Sequence, residues 1–207
     1  MKTLTKEMQN SISPARALEL LKDGNDRFVN NLKINRNLLQ QANETSDGQH
    51  PFAVILSCID SRTSAELIFD QGLGDIFSIR IAGNVVNKDI LGSMEFGCKV
   101  AGAKIIVVLG HTKCGAVKGA CDNVELGNLT GLIQKIKPAV ELEDSTIDNR
   151  NSSNSIFVEN VAELNVRLSV KNILLSSPII AEMVNDGMIT IIGGVHDITT
   201  GEVRFFE

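Results

Sequence analysis

The chain has no tryptophan, no tyrosine and only eight phenylalanines, so few aromatic side chains are present for stacking on nucleic-acid bases. Its formal net charge of −5 also opposes contact with a phosphate backbone. Both shortages argue against a nucleic-acid partner, and we expect none.

Long apolar runs are missing as well. The longest ones, at residues 52–56 and 105–109, are far too short to cross a bilayer. The first residues mix charged and apolar side chains without the apolar centre of a secretory signal. We therefore expect a cytoplasmic protein that makes no membrane contact.

Four cysteines are too few for a disulfide scaffold, so reduced thiols used for metal binding or packing are expected.

The apolar pattern predicts a single domain over residues 1–207, of the α/β class. Residues 1–48 have the composition of a helical arm, with a helix start at Ser13 and Pro14. Residues 49–207 alternate short apolar runs with helical segments, which is typical of a mainly parallel central sheet flanked by helices. The expected strands are residues 52–57, 76–81, 104–109 and 188–192, with 203–206 as an antiparallel edge strand.

Helices are expected at residues 64–69, 89–100, 114–121 and 155–185, the last broken near Pro178. We interpret Gly193 and Gly194 as a kink that ends the fourth strand. Residues 141–154 form the most polar stretch and are expected to be an exposed loop without chemistry of its own.

Three possible metal ligands follow two of the expected strands. Cys58 comes directly after one strand, and His111 and Cys114 come just after another. Because the carboxyl ends of parallel strands meet at one edge of a sheet, these side chains can converge. Two thiolates and one imidazole suit tetrahedral zinc with a fourth position left for water, as in catalytic sites. The plain alternative is that Cys58 is a buried packing cysteine.

Asp60 and Arg62 follow Cys58 so closely that they belong at the same site. A carboxylate there can accept a hydrogen bond from water on the metal, and Arg62 can hold the carboxylate ionised. For an isolated Asp-x-Arg string, a surface salt bridge is the better interpretation. Zinc with two thiolates and a neutral imidazole has no net charge, so we expect an activity that favours alkaline pH.

These strings resemble the beta-carbonic anhydrase family. The resemblance rests on Cys58-Ile59-Asp60-Ser61-Arg62, on Arg80 with Ala82-Gly83-Asn84, and on Gly110-His111-Thr112-Lys113-Cys114-Gly115. It implies one zinc per subunit held by Cys58, His111 and Cys114, and reversible hydration of carbon dioxide by a zinc-bound hydroxide. It also implies a homo-oligomer with a dimer as the minimum unit, in which the helical arm packs on the partner subunit.

The same resemblance assigns further site residues. Gln49, Phe77, Ala82 and Gly115 match positions that contact substrate, with Gln49 and Phe77 reaching the site across the dimer interface. Asp60 acts beside the metal when paired with Arg62, and becomes a metal ligand itself in a closed, inactive form. We expect the open form near neutral pH.

Some positions depart from one branch of the family or the other. Ile55 stands where the regulated bacterial branch has tryptophan, so we expect no noncatalytic bicarbonate pocket despite Arg80. Phe96 stands where the plant-like branch commonly has tyrosine, so no hydroxyl is present there for a proton relay.

Cys98 and Cys121 are interpreted as packing cysteines, and His50 and His196 as surface or interface residues.

Two other functions stay open at this point. The same scaffold could hydrolyse carbonyl sulfide or carbon disulfide, or the protein could be a noncatalytic zinc-binding or redox module.

Overall fold

The structure, a computed structural model, describes residues 3–206. Within that range one five-stranded sheet has the order β2-β1-β3-β4-β5. Its strands are β1 (Ala53–Ser57), β2 (Ile76–Arg80), β3 (Ile105–His111), β4 (Thr190–His196) and β5 (Val203–Phe205). The first four strands run parallel to one another, and β5 pairs with β4 in the antiparallel sense. The predicted α/β class, with four parallel strands and one antiparallel edge strand, is confirmed.

Helices precede the sheet and connect its strands. They are α1 (Lys6–Ser11), α2 (Pro14–Val29), α3 (Leu38–Glu44), α4 (Ala65–Ile68), α5 (Lys88–Glu95), α6 (Gly115–Cys121), α7 (Gly127–Ile133), α8 (Lys137–Leu142), α9 (Ser155–Ser176) and α10 (Pro178–Asn185). A short 3-10 turn (Ala82–Asn84) follows β2, and a π-helical segment (Phe96–Val100) continues α5. The predicted break near Pro178 separates α9 from α10, since proline fits the first turn of a helix but not its interior.

Both faces of the sheet are covered, which explains why its central strands are apolar throughout. On one face, side chains such as Val54, Ile106 and Val108 pack with residues of α5, α9 and α10. On the other face, Ile55 and Val107 pack with residues of α2 and α4. Each large apolar side chain buried in this way contributes on the order of 1.5–3 kcal/mol, so the paired strands are held rigidly under the site at their carboxyl ends.

The helical arm packs on its own chain. Ala17 and Leu21 of α2 are fully buried in the cluster that covers the second face of the sheet. From α1, the Nε2 atom of Gln9 donates to the carbonyl oxygens of Pro51 and Ala101, at 2.7 and 2.9 Å. The packing of the arm on a partner subunit stays a prediction.

The predicted kink at Gly193 and Gly194 is wrong, because both glycines lie inside β4, which runs to His196. A Cβ atom on Gly193 would lie 2.7 Å from a Val166 methyl and 2.9 Å from the Phe206 ring. The glycine therefore lets α9 and the carboxyl-terminal residues approach the strand closely, instead of ending it.

The polar stretch at 141–154 is not wholly exposed. Glu143 is buried, and its carboxylate accepts hydrogen bonds from Arg150, Thr146 and Asn160. The expectation that the whole stretch is exposed is wrong at this residue, whose partner Asn160 lies on α9. Within residues 3–206, no helix combines the length and the apolar composition that crossing a membrane requires.

Candidate metal centre and active site

Three metal-ligating side chains meet at the carboxyl edge of the sheet. Cys58 directly follows β1, His111 ends β3, and Cys114 caps the amino terminus of α6. Because β1 and β3 are adjacent parallel strands, their ends bring residues more than fifty positions apart into contact. The possible ligand atoms all lie within 4.8 Å of one another, and all three residues are buried.

The donor set fits a zinc ion. The two sulfur atoms are 4.0 Å apart, close to the spacing of about 3.8 Å that two thiolates adopt on tetrahedral zinc. His111 Nδ1 lies 2.9 Å from the carbonyl oxygen of Thr112, which can only accept, so this nitrogen carries the proton. Its Nε2 atom then has a free lone pair, and it is buried without a hydrogen-bond partner. A histidine fixed in this way is the usual form of a metal ligand.

The two thiols affect each other's ionisation. The adjacent Cys114 thiol lowers the pKa of Cys58 against the opposing effect of burial, and His111 and the N–H of Gly83 also lower it. The Cys58 sulfur in turn raises the pKa of Cys114. A dication bound between the two sulfurs would favour the thiolate form of both cysteines, because metal ligation requires a deprotonated sulfur.

Asp60 and Arg62 form a bidentate ion pair beside this cluster. Arg62 donates from Nε to Oδ1 at 2.9 Å and from Nη2 to Oδ2 at 2.7 Å, and its backbone N–H also donates to Oδ1. These bonds hold the pKa of the Asp60 carboxyl well below its usual range, while burial opposes them. Asp60 is paired with Arg62 in this structure, and the group of converging ligand atoms consists of Cys58, His111 and Cys114.

Arg80 at the end of β2 and Gly83 in the turn after it hold the Cys58 loop in place. Arg80 donates from Nε to the carbonyl oxygen of Cys58 at 3.1 Å and from Nη2 to that of Asp60 at 2.6 Å. The backbone N–H of Gly83 donates to the Cys58 sulfur at 3.3 Å. The sequence singled out both residues as motif members but gave no role to either, because these contacts form between strands.

Comparisons with known proteins agree with this geometry. The family model described as carbonic anhydrase matches residues 53–203. Carbonic anhydrase 2 of Mycobacterium tuberculosis is 35% identical over 201 residues, which cover 91% of each chain. A carbonic anhydrase of Mycolicibacterium smegmatis is 34% identical, with 95% of each chain covered. The fold is also similar to that of a beta-carbonic anhydrase of Aspergillus fumigatus, with a TM-score of 0.72, 26% identity, and coverage of 93% and 90% of the two chains.

The chain belongs to the beta-carbonic anhydrase family. A further similar structure is one of two beta-carbonic anhydrases from Sordaria macrospora, which are described as tetrameric. It has a TM-score of 0.71 and 26% identity, with coverage of 79% of this chain and 84% of that one. The predicted family and the predicted enzyme class are confirmed.

In this beta-carbonic anhydrase, two of the four predicted substrate residues lie beside the candidate metal ligands. Gly115 directly follows Cys114, and a Cβ atom on it would meet nothing within 4 Å, so the space there is open. Ala82 begins the 3-10 turn that contains Gly83.

Gln49 and Phe77 lie elsewhere. Gln49 precedes β1 while Cys58 follows it, and a five-residue strand spans about 16 Å. Phe77 lies on β2, where it packs edge to face on Phe96 with ring centroids 6.2 Å apart. Neither is part of the converging cluster of its own chain.

The remaining cysteines pack in apolar clusters. Burial raises the pKa of the Cys98 thiol to about 12 and that of Cys121 to about 11, so both stay neutral near pH 7. Ile55 is fully buried in the core.

The other two histidines differ from each other in exposure. His196 is buried, not at the surface, and burial followed by the proximity of His111 lowers its pKa to about 4. His50 is partly exposed.

Proposed function

We propose that this protein is a zinc-dependent carbonic anhydrase that converts carbon dioxide and water reversibly to bicarbonate and a proton. The observation that carries the proposal is the convergence of the Cys58 and Cys114 sulfurs with the unpartnered Nε2 atom of His111. Three protein donors leave the fourth position of tetrahedral zinc for a small ligand, which is the pattern of catalytic and not of structural sites. The mycobacterial relatives named carbonic anhydrase support the same reaction.

Zinc held by these three residues would supply Lewis acidity that lowers the pKa of a water molecule and makes it a nucleophile. The role of Asp60 is to orient that nucleophile, since its carboxylate stays ionised and keeps lone pairs that Arg62 does not use. Arg62 positions Asp60 through the bidentate contact, and Arg80 holds the backbone of the same loop. The opening at Gly115 supports entry of a small linear substrate. The proton released in each turnover passes to buffer.

A noncatalytic zinc or redox module would not need the Asp60 and Arg62 pair. Arg62 is 53% exposed and Asp60 17% exposed, so solvent can reach the ion pair beside the buried ligands. A closed structural site has four protein ligands and no use for an oriented carboxylate at its edge. The arrangement therefore favours an enzyme over a structural zinc site.

We also propose a homodimer as the minimum unit. The β2 strand lies at the edge of the sheet, and Phe96, whose ring packs on Phe77 of β2, is 54% exposed. Val100, in the same π-helical segment as Phe96, is 70% exposed. An exposed strand edge flanked by apolar side chains invites pairing with a second chain. Gln49 and Phe77, which lie away from their own metal ligands, would then serve the partner's site. Sedimentation at micromolar concentration tests this, and a monomer would refute it.

Stopped-flow measurement tests the reaction itself. The zinc-loaded protein should accelerate proton release from dissolved carbon dioxide, and Asp60→Asn should slow that step by roughly 100-fold or more, as the loss of a residue positioned for proton chemistry does. Carbonyl sulfide and carbon disulfide are assayed in parallel. A clear preference for either sulfur compound would assign the protein to their hydrolysis, and bound zinc with no turnover would indicate a noncatalytic module.

We expect the enzyme to act in the cytoplasm.

A further inference from the structure

A buried amide on α9 is connected to the Cys58 sulfur through one glycine. Asn165 is 3% exposed, and its Nδ2 atom donates to the carbonyl oxygen of Gly83 at 2.9 Å. The backbone N–H of the same glycine donates to Cys58 Sγ at 3.3 Å. Gly83 is therefore held on one side by a helix in the core and holds the sulfur on the other.

Gly83 has a conformation that needs such support. Its φ of 65° and ψ of 18° lie in the left-handed region, which side chains other than glycine rarely adopt. A Cβ atom at this position would also lie 2.6 Å from Ile136 Cδ1 and 3.2 Å from Ala116 Cβ. Only glycine fits here, yet glycine is the residue with the greatest backbone freedom. An external bond is needed to select the one conformation that points its N–H at the sulfur.

The hydrogen bond to sulfur has a direct effect on the metal ligand. An N–H that donates to a thiolate draws electron density from the sulfur and fixes the direction of its remaining lone pairs. Groups that orient a ligand in this way typically change metal affinity by roughly 10-fold to 100-fold. The effect reaches the metal even though Asn165 itself touches none of the three ligands.

We propose that Asn165 is a positioning residue of the metal centre: it fixes Gly83 so that the Gly83 N–H is held against the Cys58 sulfur, and thereby sets zinc affinity and the donor strength of that thiolate. This inference rests on the zinc site proposed above. Asn165 does not contact substrate and is not a catalytic residue.

The test compares Asn165→Leu, which keeps the volume and removes the donor, with Asn172→Leu on the same helix. Asn172 is exposed and its side chain makes no hydrogen bond within the described residues, so it is a matched control. Zinc affinity is measured by competition with a chromophoric chelator. Cobalt(II) is then substituted for zinc, and the thiolate-to-cobalt charge-transfer band reports the electron density on sulfur. Circular dichroism checks that each variant folds.

Asn165→Leu should bind zinc about 10-fold to 100-fold more weakly and shift the charge-transfer band to longer wavelength, with the control unchanged. If Asn165→Leu does not fold, Asn165→Ala carries the same expectation, because alanine is favourable within a helix. Wild-type affinity and an unshifted band in the folded variant would overturn the inference. So would a lower melting temperature with an unshifted band, since that is the mark of a purely structural residue.

Failure of the zinc site on which this inference rests would look different. In that case neither the wild-type protein nor the Asn172→Leu control would bind zinc. A failure of the Asn165 inference alone leaves zinc binding intact in every variant.

Discussion

Asp70 is a buried carboxylate that links the arm to the core, and replacing it with asparagine should destabilise the fold. Its side chain is 4% exposed and accepts from Arg27 Nε at 2.6 Å and from Arg36 Nη1 at 2.5 Å. The backbone N–H of Ile34 donates to the same carboxylate at 3.2 Å. The Asp70→Asn variant leaves the buried Arg36 guanidinium without its counter-charge.

Breaking a buried ion pair from one side costs about 3–5 kcal/mol. Arg36 is 7% exposed and cannot regain water easily, so the loss of its counter-charge is costly. Arg27 is 27% exposed and can regain water, so it adds little to the cost. We therefore expect the lower end of that range, about 3 kcal/mol. For a chain of this length it corresponds to a fall in melting temperature of roughly 6–12 °C. The free energy of unfolding is measured in urea at one fixed protein concentration, since assembly also contributes to stability.

Exposed Asp186 has no ion-pair partner within the described residues, so Asp186→Asn is the control and should change stability by less than about 0.5 kcal/mol.

The pH dependence of the Asp70→Asn effect supplies a second check. Burial alone raises the pKa of Asp70, but the hydrogen bonds from Arg27 and Arg36 outweigh it and lower the pKa.

A lowered carboxyl pKa contributes stability above the unfolded value of about 3.9, and this is lost as the pH falls through the folded value. The difference between wild type and Asp70→Asn should therefore shrink in acid. An equal difference at neutral and acidic pH, or no difference at all, would show that the ion pairs of Asp70 do not stabilise the fold.

Three further predictions follow the same logic. Gly110→Ala should lower the free energy of unfolding by about 1–3 kcal/mol, because the new Cβ would lie 2.6 Å from a Val166 methyl. The control Gly92→Ala meets nothing within 4 Å and should be neutral or stabilising. Equal unfolding midpoints for the two variants would contradict this. Glu143→Gln should cost about 2–3 kcal/mol at pH 7, since Arg150 loses its counter-charge. Burial raises the pKa of Glu143, but its hydrogen bonds lower the pKa to about 2. The difference in unfolding free energy between wild type and Glu143→Gln should therefore disappear in strong acid. A difference that persists there would exclude the ion pair as its source. Finally, the rate of carbon dioxide hydration should rise from about pH 7 to pH 9, because the donor set leaves zinc without net charge, and a rate that stays flat into acid would count against that charge balance.

The convergence of the three candidate metal ligands could be predicted because they follow strands that are easily recognised. Cys58 and His111 come at the ends of continuous apolar runs, and the geometry of a parallel sheet brings such ends together without further information. The pairing of Asp60 with Arg62 is equally local, since the two residues are two positions apart. Local pattern and a general rule of sheet topology were sufficient for this part of the site.

What could not be predicted depends on contacts between distant segments. A lone histidine near a strand end is commonly a surface or interface residue, which is the interpretation that the sequence favours for His196. In the structure, Phe206 and α9 pack over Gly193, β4 continues to His196, and its side chain is buried. Glu143 is expected from the sequence to be exposed, but it is buried because its partners Arg150 and Asn160, which come later in the chain, surround its carboxylate. Asn165 has no sequence signal at all, as its only distinguishing feature is a bond to a residue 82 positions away.

The metal content of the purified protein, measured together with its activity, decides whether zinc at this site drives the reaction. We predict one zinc per chain, loss of carbon dioxide hydration when a strong chelator removes the metal, and recovery of the rate when zinc is added back. Cys114→Ser should bind little zinc and show no hydration, since it loses one of the three donors. Full hydration activity in protein that has no metal, or in Cys114→Ser without zinc, would exclude a zinc-dependent reaction at this site.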